Sequence, residues 1–253
     1  QNRTYATGVF LITVVGFVLY GGMVLLPLML QTLFGYSSME AGKAMAPRGV
    51  GSLIMMPLVG MLTSKVDPRK LLMAGLGVGG LTMIWLGQIN LNAGYNDIAV
   101  PQFLQGTGMA LLFVPLTTVA MATIEPQRMG YATSLFNLMR NIGGGVGIAM
   151  TGTYLARHRQ VVGATLGENI SIYDPQTQGM LAQLTQGMIA AGTDAATATQ
   201  RAYVMMHGLL LRQASMVSFV EVYRLLGALF LVMIPLVFLM RRPSRGSAAA
   251  PAH

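Results

Sequence analysis

The sequence predicts an all-α membrane protein, a six-transmembrane-helix bundle, and three observations carry that reading. Six apolar stretches run at 8–33, 44–62, 71–89, 101–124, 132–156 and 218–240. Each has about 19 residues or more, enough to cross about 30 Å of hydrocarbon at a rise of 1.5 Å per residue. Hydrophobic residues make up 53% of the chain and charged residues only 9%, whereas soluble domains carry about 25% charge. Mean hydropathy is +0.58. The 31 glycines suit helices that approach closely, because lipid supplies no hydrophobic push between them.

The same composition excludes several function classes. The net charge of +8 does not point to nucleic acid, because the basic residues sit in loops beside the spans. Without cysteine there is no disulfide or thiol chemistry. His158, His207 and His253 all lie outside the spans, and no metal-ligand spacing, nucleophile elbow or phosphate loop is present. No catalytic residue, metal site or cofactor is expected, and no ATP-driven engine, so the chain does not read as an enzyme. It starts at Gln1 without a methionine and reads as a piece of a longer protein, in which the first span here needs no cleavable signal.

The spans can be taken in order. The first, 8–33, contains Gly21-Gly22 and Pro27 and ends with Gln31. The second, 44–62, has Pro47-Arg48 near its start, where Arg48 is expected to snorkel to the headgroups. The third, 71–89, follows a loop bearing Lys65, Arg69 and Lys70. The fourth, 101–124, carries Gln102, Gln105, Gly106-Thr107-Gly108 and Pro115. Gly21-Gly22, Pro27, Gly106-Thr107-Gly108 and Pro115 read as interruptions, which occur where backbone lines a site or a helix bends. The sixth, 218–240, has Glu221 and Arg224 three residues apart at its outer end. They are within pairing reach on a helix. A structural ion pair is the leading reading, with a proton-carrying Glu221 as the alternative.

The fifth span, 132–156, holds the strongest candidate. Arg140 lies about nine residues in, or about 13 Å deep by helical rise, and an ionisable group at such depth is a functional candidate by default. Thr133, Asn137, Arg140, Gly144, Gly147 and Thr151 recur at steps of three and four, which places them on one face. Two readings stand: a cavity wall that touches substrate or holds a counter-charge, and an arginine tied to neighbouring carbonyls for packing. Gly143–Gly147 reads as a close-packing surface.

Charge sets the topology. With the C-terminus inside, the inner segments hold Arg3; Lys65, Arg69 and Lys70; Arg128; and Arg241, Arg242 and Arg245, while the short outer loops hold only Lys43. The positive-inside rule therefore places both ends in the cytoplasm. The bundle covers 1–243, including an extracytoplasmic segment at 157–212, and 244–253 is a cytoplasmic tail. Within the outer segment, Met180, Leu181, Leu184 and Met188 have helical spacing. An amphipathic helix on the outer face and a plain solvated connection are equally weighted readings.

The loop Gly60-Met61-Leu62-Thr63-Ser64-Lys65-Val66-Asp67-Pro68-Arg69-Lys70 resembles the inner-loop signature of the major facilitator superfamily, G-x-L-x-D-R-x-G-x-R-R/K. Ser64 stands where the family often has an acid, and Asp67 where it often has glycine. Leu26-Pro27-Leu28-Met29-Leu30-Gln31, Gly35-Tyr36-Ser37, Ala46-Pro47-Arg48-Gly49, Phe103-Leu104-Gln105-Gly106-Thr107-Gly108 and Phe136-Asn137-Leu138-Met139-Arg140-Asn141-Ile142-Gly143 are similar to the fourteen-helix drug:proton antiporters of the EmrB/QacA type. The resemblance covers about 8–243.

The resemblance implies the C-terminal half of a major facilitator fold, with the N-terminal bundle as its missing partner and substrate bound near the midplane between bundles. The implied function is proton-coupled multidrug efflux from the bacterial inner membrane, exporting amphipathic or cationic small molecules by alternating access. Arg140, Asn137 and Asn141 would line the cavity, with polar contacts from Gln31 and Gln105. Gly60, Lys65, Asp67, Arg69 and Lys70 would form a cytoplasmic latch. A periplasmic adaptor protein would meet the outer segment. Alternatives are an exporter of a natural metabolite or siderophore, and a non-transporting membrane scaffold subunit.

Overall fold

The computed structural model describes residues 3–122, 124–168 and 175–238. The described residues form seven α-helices: α1 (Arg3–Leu33), α2 (Ser38–Lys65), α3 (Pro68–Leu86), α4 (Tyr95–Met121), α5 (Met129–Glu168), α6 (Pro175–Ala190) and α7 (Ala195–Val237). A single 3-10 turn, Pro126–Arg128, precedes α5. No strand occurs among the described residues. The fold class is all-α, as expected. Arg241, Arg242, Arg245 and the 244–253 tail lie outside the described residues.

Five helices are long and apolar enough to cross a membrane: α1 from Thr4, α2, α3, α4 and α7. The expected span at 132–156 is helical and falls within α5, but it is not among the five. Ser134, Asn137, Arg140, Asn141 and a run of glycines dilute its apolar content.

Local chemistry explains where the helices begin and end. Ser37 and Glu40 form a capping box at the start of α2, with the Ser37 N–H donating to Glu40 Oε2 at 2.8 Å. Asp67 caps α3 by accepting from the Arg69 N–H at 3.1 Å, and Pro68 stands at the first helical position, where it costs no hydrogen bond. Gly35 (φ 70°) and Gly192 (φ 92°) take the left-handed conformation. Gly192 closes α6 in a Schellman pattern, with the Thr193 N–H reaching Met188 O at 3.1 Å. Asp194 then caps α7 through the Thr197 N–H at 3.0 Å, and that bond holds its carboxyl below the usual value of 3.8.

The expected interruptions do not occur. Pro27, Pro47, Pro57, Pro101, Pro115 and Pro235 all lie inside continuous helices. The glycines read as breaks are instead places where one helix rests on another.

The chain divides into two compact units, 1–152 with 220–253, and 153–219. In the larger unit, glycines form the helix contacts. A Cβ on Gly143 would strike Thr13 O, one on Gly147 would strike Phe17 O, and one on Gly16 would strike Arg140 O, so α1 and α5 touch backbone to backbone. Gly143–Gly147 is thus the close-packing surface its spacing predicts. Gly51 and Gly106 bring α2 against α4, at Phe103 O and Arg48 O. Gly80 and Gly227 face one another's carbonyls between α3 and α7. Towards the α2–α3 loop, Val59, Leu71, Ala110 and Leu111 form a small apolar cluster of α2, α3 and α4.

The smaller unit takes in the whole of the expected outer segment, 157–212, and a few residues on either side. It contains α6, the last part of α5 and the first part of α7. Of the two readings of 180–188, the structure has a helix there, α6, and its neighbours are helical too. Ala198, Ala202, Ala214, Met216 and Phe219 are buried. His158 Nδ1 lies 3.3 Å from Ser218 Oγ, and its ring stacks on Tyr154 with centroids 5.4 Å apart.

Gly106→Val should lower stability by about 1–3 kcal/mol, because the new side chain must displace the Arg48 backbone. Gly60→Ala, where a Cβ meets open space, should leave the melting temperature of the purified protein unchanged. Equal shifts for the two variants would contradict the packing account.

Candidate functional site

The site starts from α5. Its glycine face is fixed to α1, and this sets the rotation of every other residue on the helix. Gly143, Gly144, Gly147 and Thr151 are buried, whereas Asn137 and Asn141 are exposed and Arg140 is half-buried. The Arg140 guanidinium lies over the Phe113 ring of α4, 5.8 Å from its centroid. A cation over an aromatic face gains about 0.5–2 kcal/mol. Arg140 Nε is buried and makes no hydrogen bond. The packing reading, in which neighbouring carbonyls hold the arginine, lacks that bond at Nε.

The other expected cavity residues are placed elsewhere. Gln105 is buried inside the bundle and accepts from Gln102 Nε2 at 3.2 Å. Gln31 is exposed. It follows Gly16, the residue resting on Arg140, by about 15 positions, or about 22 Å of helix. The structure thus keeps Arg140, Asn137 and Asn141 together and does not bring Gln31 to them.

In the inner-loop motif, Asp67 acts as the α3 cap, while Lys65 and Lys70 are exposed and Arg69 is half-buried. Gly60 is exposed and touches nothing within 4 Å of its missing side chain.

Two expectations need correction. Glu221 and Arg224 do not form an ion pair, whereas Arg128 and Glu125 do, at 3.6 Å. Arg224 Nε instead donates to Gly87 O at 2.9 Å. Gly87 caps the C-terminus of α3, where carbonyls lack helical partners and the dipole attracts a cation. Its missing side chain makes room for the arginine stem, since a Cβ there would lie 2.8 Å from Arg224 Cγ. Nor does Arg48 snorkel. It is half-buried, and its Nε donates to Met109 Sδ of α4 at 3.1 Å.

Tyr223 is the polar residue that sequence reasoning missed. It is 1% exposed, and its hydroxyl has no hydrogen-bond partner. The only signal was a lone phenol between Glu221 and Arg224, whose charges drew attention away from it.

Residues 2–148, more than half of the chain, match the Major Facilitator Superfamily. The chain belongs to that superfamily. Its members are membrane transporters rather than enzymes, and this chain is a multi-pass membrane protein. It is similar to the fatty acid resistance protein FarB of Neisseria gonorrhoeae, 30% identical over 244 residues, covering 96% of this chain and 46% of that protein. The multidrug export protein EmrB of Escherichia coli K12 is 28% identical over 256 residues, covering 100% of this chain and 48% of that protein. EmrB of Haemophilus influenzae is 33% identical over 204 residues, covering 79% and 40%. The chain spans about half the length of the curated relatives it matches.

Replacing Glu221 by Gln should change stability by less than about 0.5 kcal/mol, as at an unpaired site. Arg224→Met should cost about 1 kcal/mol by removing the carbonyl bond at the end of α3. Denaturation of the two variants in detergent decides between them, and an equal loss from both would restore the ion pair.

Proposed function

We propose that this chain is the C-terminal bundle of a proton-driven exporter of amphipathic small molecules, with its second bundle supplied by the rest of the polypeptide. The observation that carries the proposal is the α5 face: a half-buried guanidinium held on an aromatic ring, with the exposed amides Asn137 and Asn141 on either side. Lipid does not satisfy such groups, so this face belongs against another bundle or a watery cavity. Large apolar side chains on α2 (Leu53, Ile54, Met56, Met61) and α5 (Leu138, Ile142) are also exposed. They provide area for lipid and for that bundle.

On this reading Arg140 meets the substrate or its counter-charge, and Asn137 and Asn141 offer hydrogen bonds. The loop from Gly60 to Lys70 acts as a cytoplasmic latch, both chain ends face the cytoplasm, and the membrane is the bacterial inner membrane. The substrate moves by antiport with protons through alternating access. A fixed cation disfavours cationic cargo and suits a neutral or anionic amphipath. One relative is named for fatty acid resistance, which favours a carboxylate-bearing natural metabolite as the second reading.

In the complete protein, Arg140→Ala should lower proton-gradient-dependent substrate movement in vesicles at least about ten-fold, the equivalent of roughly 1.4 kcal/mol, with membrane insertion intact. Normal transport by this variant would return Arg140 to a packing role. No gradient-dependent transport by the parent protein would favour a scaffold subunit.

The 153–219 unit is also proposed to meet a periplasmic adaptor. Removing 163–200 should abolish capture of the adaptor by the complete protein, and undiminished capture would sink that assignment.

A further inference from the structure

Inside the 153–219 unit lies a cavity of about 680 Å³ that the transport reading does not use. It is bounded by the end of α5 at Gly167, by α6 and by α7. On α6 the lining residues are Thr177, Gln178, Leu181, Ala182, Thr185 and Gln186, which repeat at helical spacing and form one stripe. On α7 the lining is Tyr203, Met206, His207 and Leu210, again one stripe. Two helix faces are turned towards each other without filling the space between them. Gly167 contributes no side chain to close the third side, and a Cβ there would meet nothing within 4 Å.

The chemistry of the lining selects the ligand. Leu181, Met206 and Leu210 supply an apolar floor, Met206 with a polarizable thioether that adapts to irregular shapes. Tyr203 adds an aromatic face. Thr185, Gln186 and His207 offer hydrogen-bond donors and acceptors. No Asp, Glu, Lys or Arg is among the described lining residues, so none of these neutralises a charged ligand. The volume falls in the range of about 300–1,000 Å³ that holds drug-sized molecules, which are typically gripped by apolar walls and a few polar groups.

We propose that the 153–219 unit carries its own binding site for an uncharged amphipathic small molecule with an apolar or aromatic body and a hydroxyl or amide head. The body lies along Leu181, Met206 and Leu210, and the head meets Thr185, Gln186 and His207. This site is separate from Arg140 and requires no transport.

The test uses the full chain in lipid nanodiscs, irradiated with 4-(hydroxymethyl)benzophenone, a neutral photoreactive amphipath, followed by peptide mapping. Cross-links should concentrate on 177–186 and 203–210, saturate with probe concentration, and be suppressed by excess 4-(hydroxymethyl)biphenyl, which cannot cross-link. Ala182→Trp and Gly167→Trp, which fill the cavity from two sides, should each reduce this labelling at least about ten-fold, or roughly 1.4 kcal/mol. Gln183→Trp, on an exposed α6 residue outside the lining, should leave it unchanged and shows that a new tryptophan is tolerated. Labelling that does not saturate, that is confined to α1–α4, or that persists in both filled variants overturns the site. Loss in Gln183→Trp as well would also overturn it, since labelling would then not report on the cavity.

Discussion

The architecture of the larger unit depends on helices touching through their backbones. In water, burial of apolar side chains drives helices together at roughly 25 cal/mol per Å². In lipid that force is absent between helices, and close van der Waals contact takes over. Such contact needs positions without a side chain. Gly16, Gly143 and Gly147 provide them between α1 and α5, Gly51 and Gly106 between α2 and α4, and Gly80 and Gly227 between α3 and α7. Once the glycine faces are fixed, the direction of every other side chain follows from the helical period. Arg140 is half-buried, and Asn137 and Asn141 are exposed, because the glycines one turn on are pressed against α1.

Three arginines in these helices find three different partners. Arg140 uses the π face of Phe113, Arg48 a thioether, and Arg224 a carbonyl at a helix end. None of the three has a carboxylate partner. Breaking a buried ion pair leaves an uncompensated charge. Soft or neutral partners avoid that hazard.

Much of this was legible in the sequence, and the failures are informative. Length and apolarity gave the helices and the fold class, and the GxxxG spacing in 143–147 gave the α5 contact surface. The fifth expected span is less apolar than the other five, because the polar residues that make α5 interesting also lower its hydropathy. The proline and glycine interruptions were misread because composition shows where a helix is allowed to break, not whether packing holds it straight. The Glu221–Arg224 pair failed for a related reason: i, i+3 spacing makes an interaction available, but the carbonyl of Gly87 on another helix competes for it. Gln31 was assigned to the cavity by residue type alone, which carries no information about height along a helix. The cavity between α6 and α7 was out of reach, since two stripes of ordinary composition become a site only when they face one another.

The glycine contacts have an evolutionary consequence. A scaffold held by backbone contacts and a buried apolar core leaves its outward side chains free of structural service, so mutation can explore those at little cost to folding. Scaffold and recognition surface are then inherited as nearly separate characters: one set of positions tolerates almost no variation, and the outward faces of α2 and α5 tolerate a great deal. Lineages sharing this bundle can diverge in what they recognise without first acquiring stabilising changes. On the proposed function, a change of cargo becomes a matter of a few surface substitutions rather than of rebuilding the helix packing.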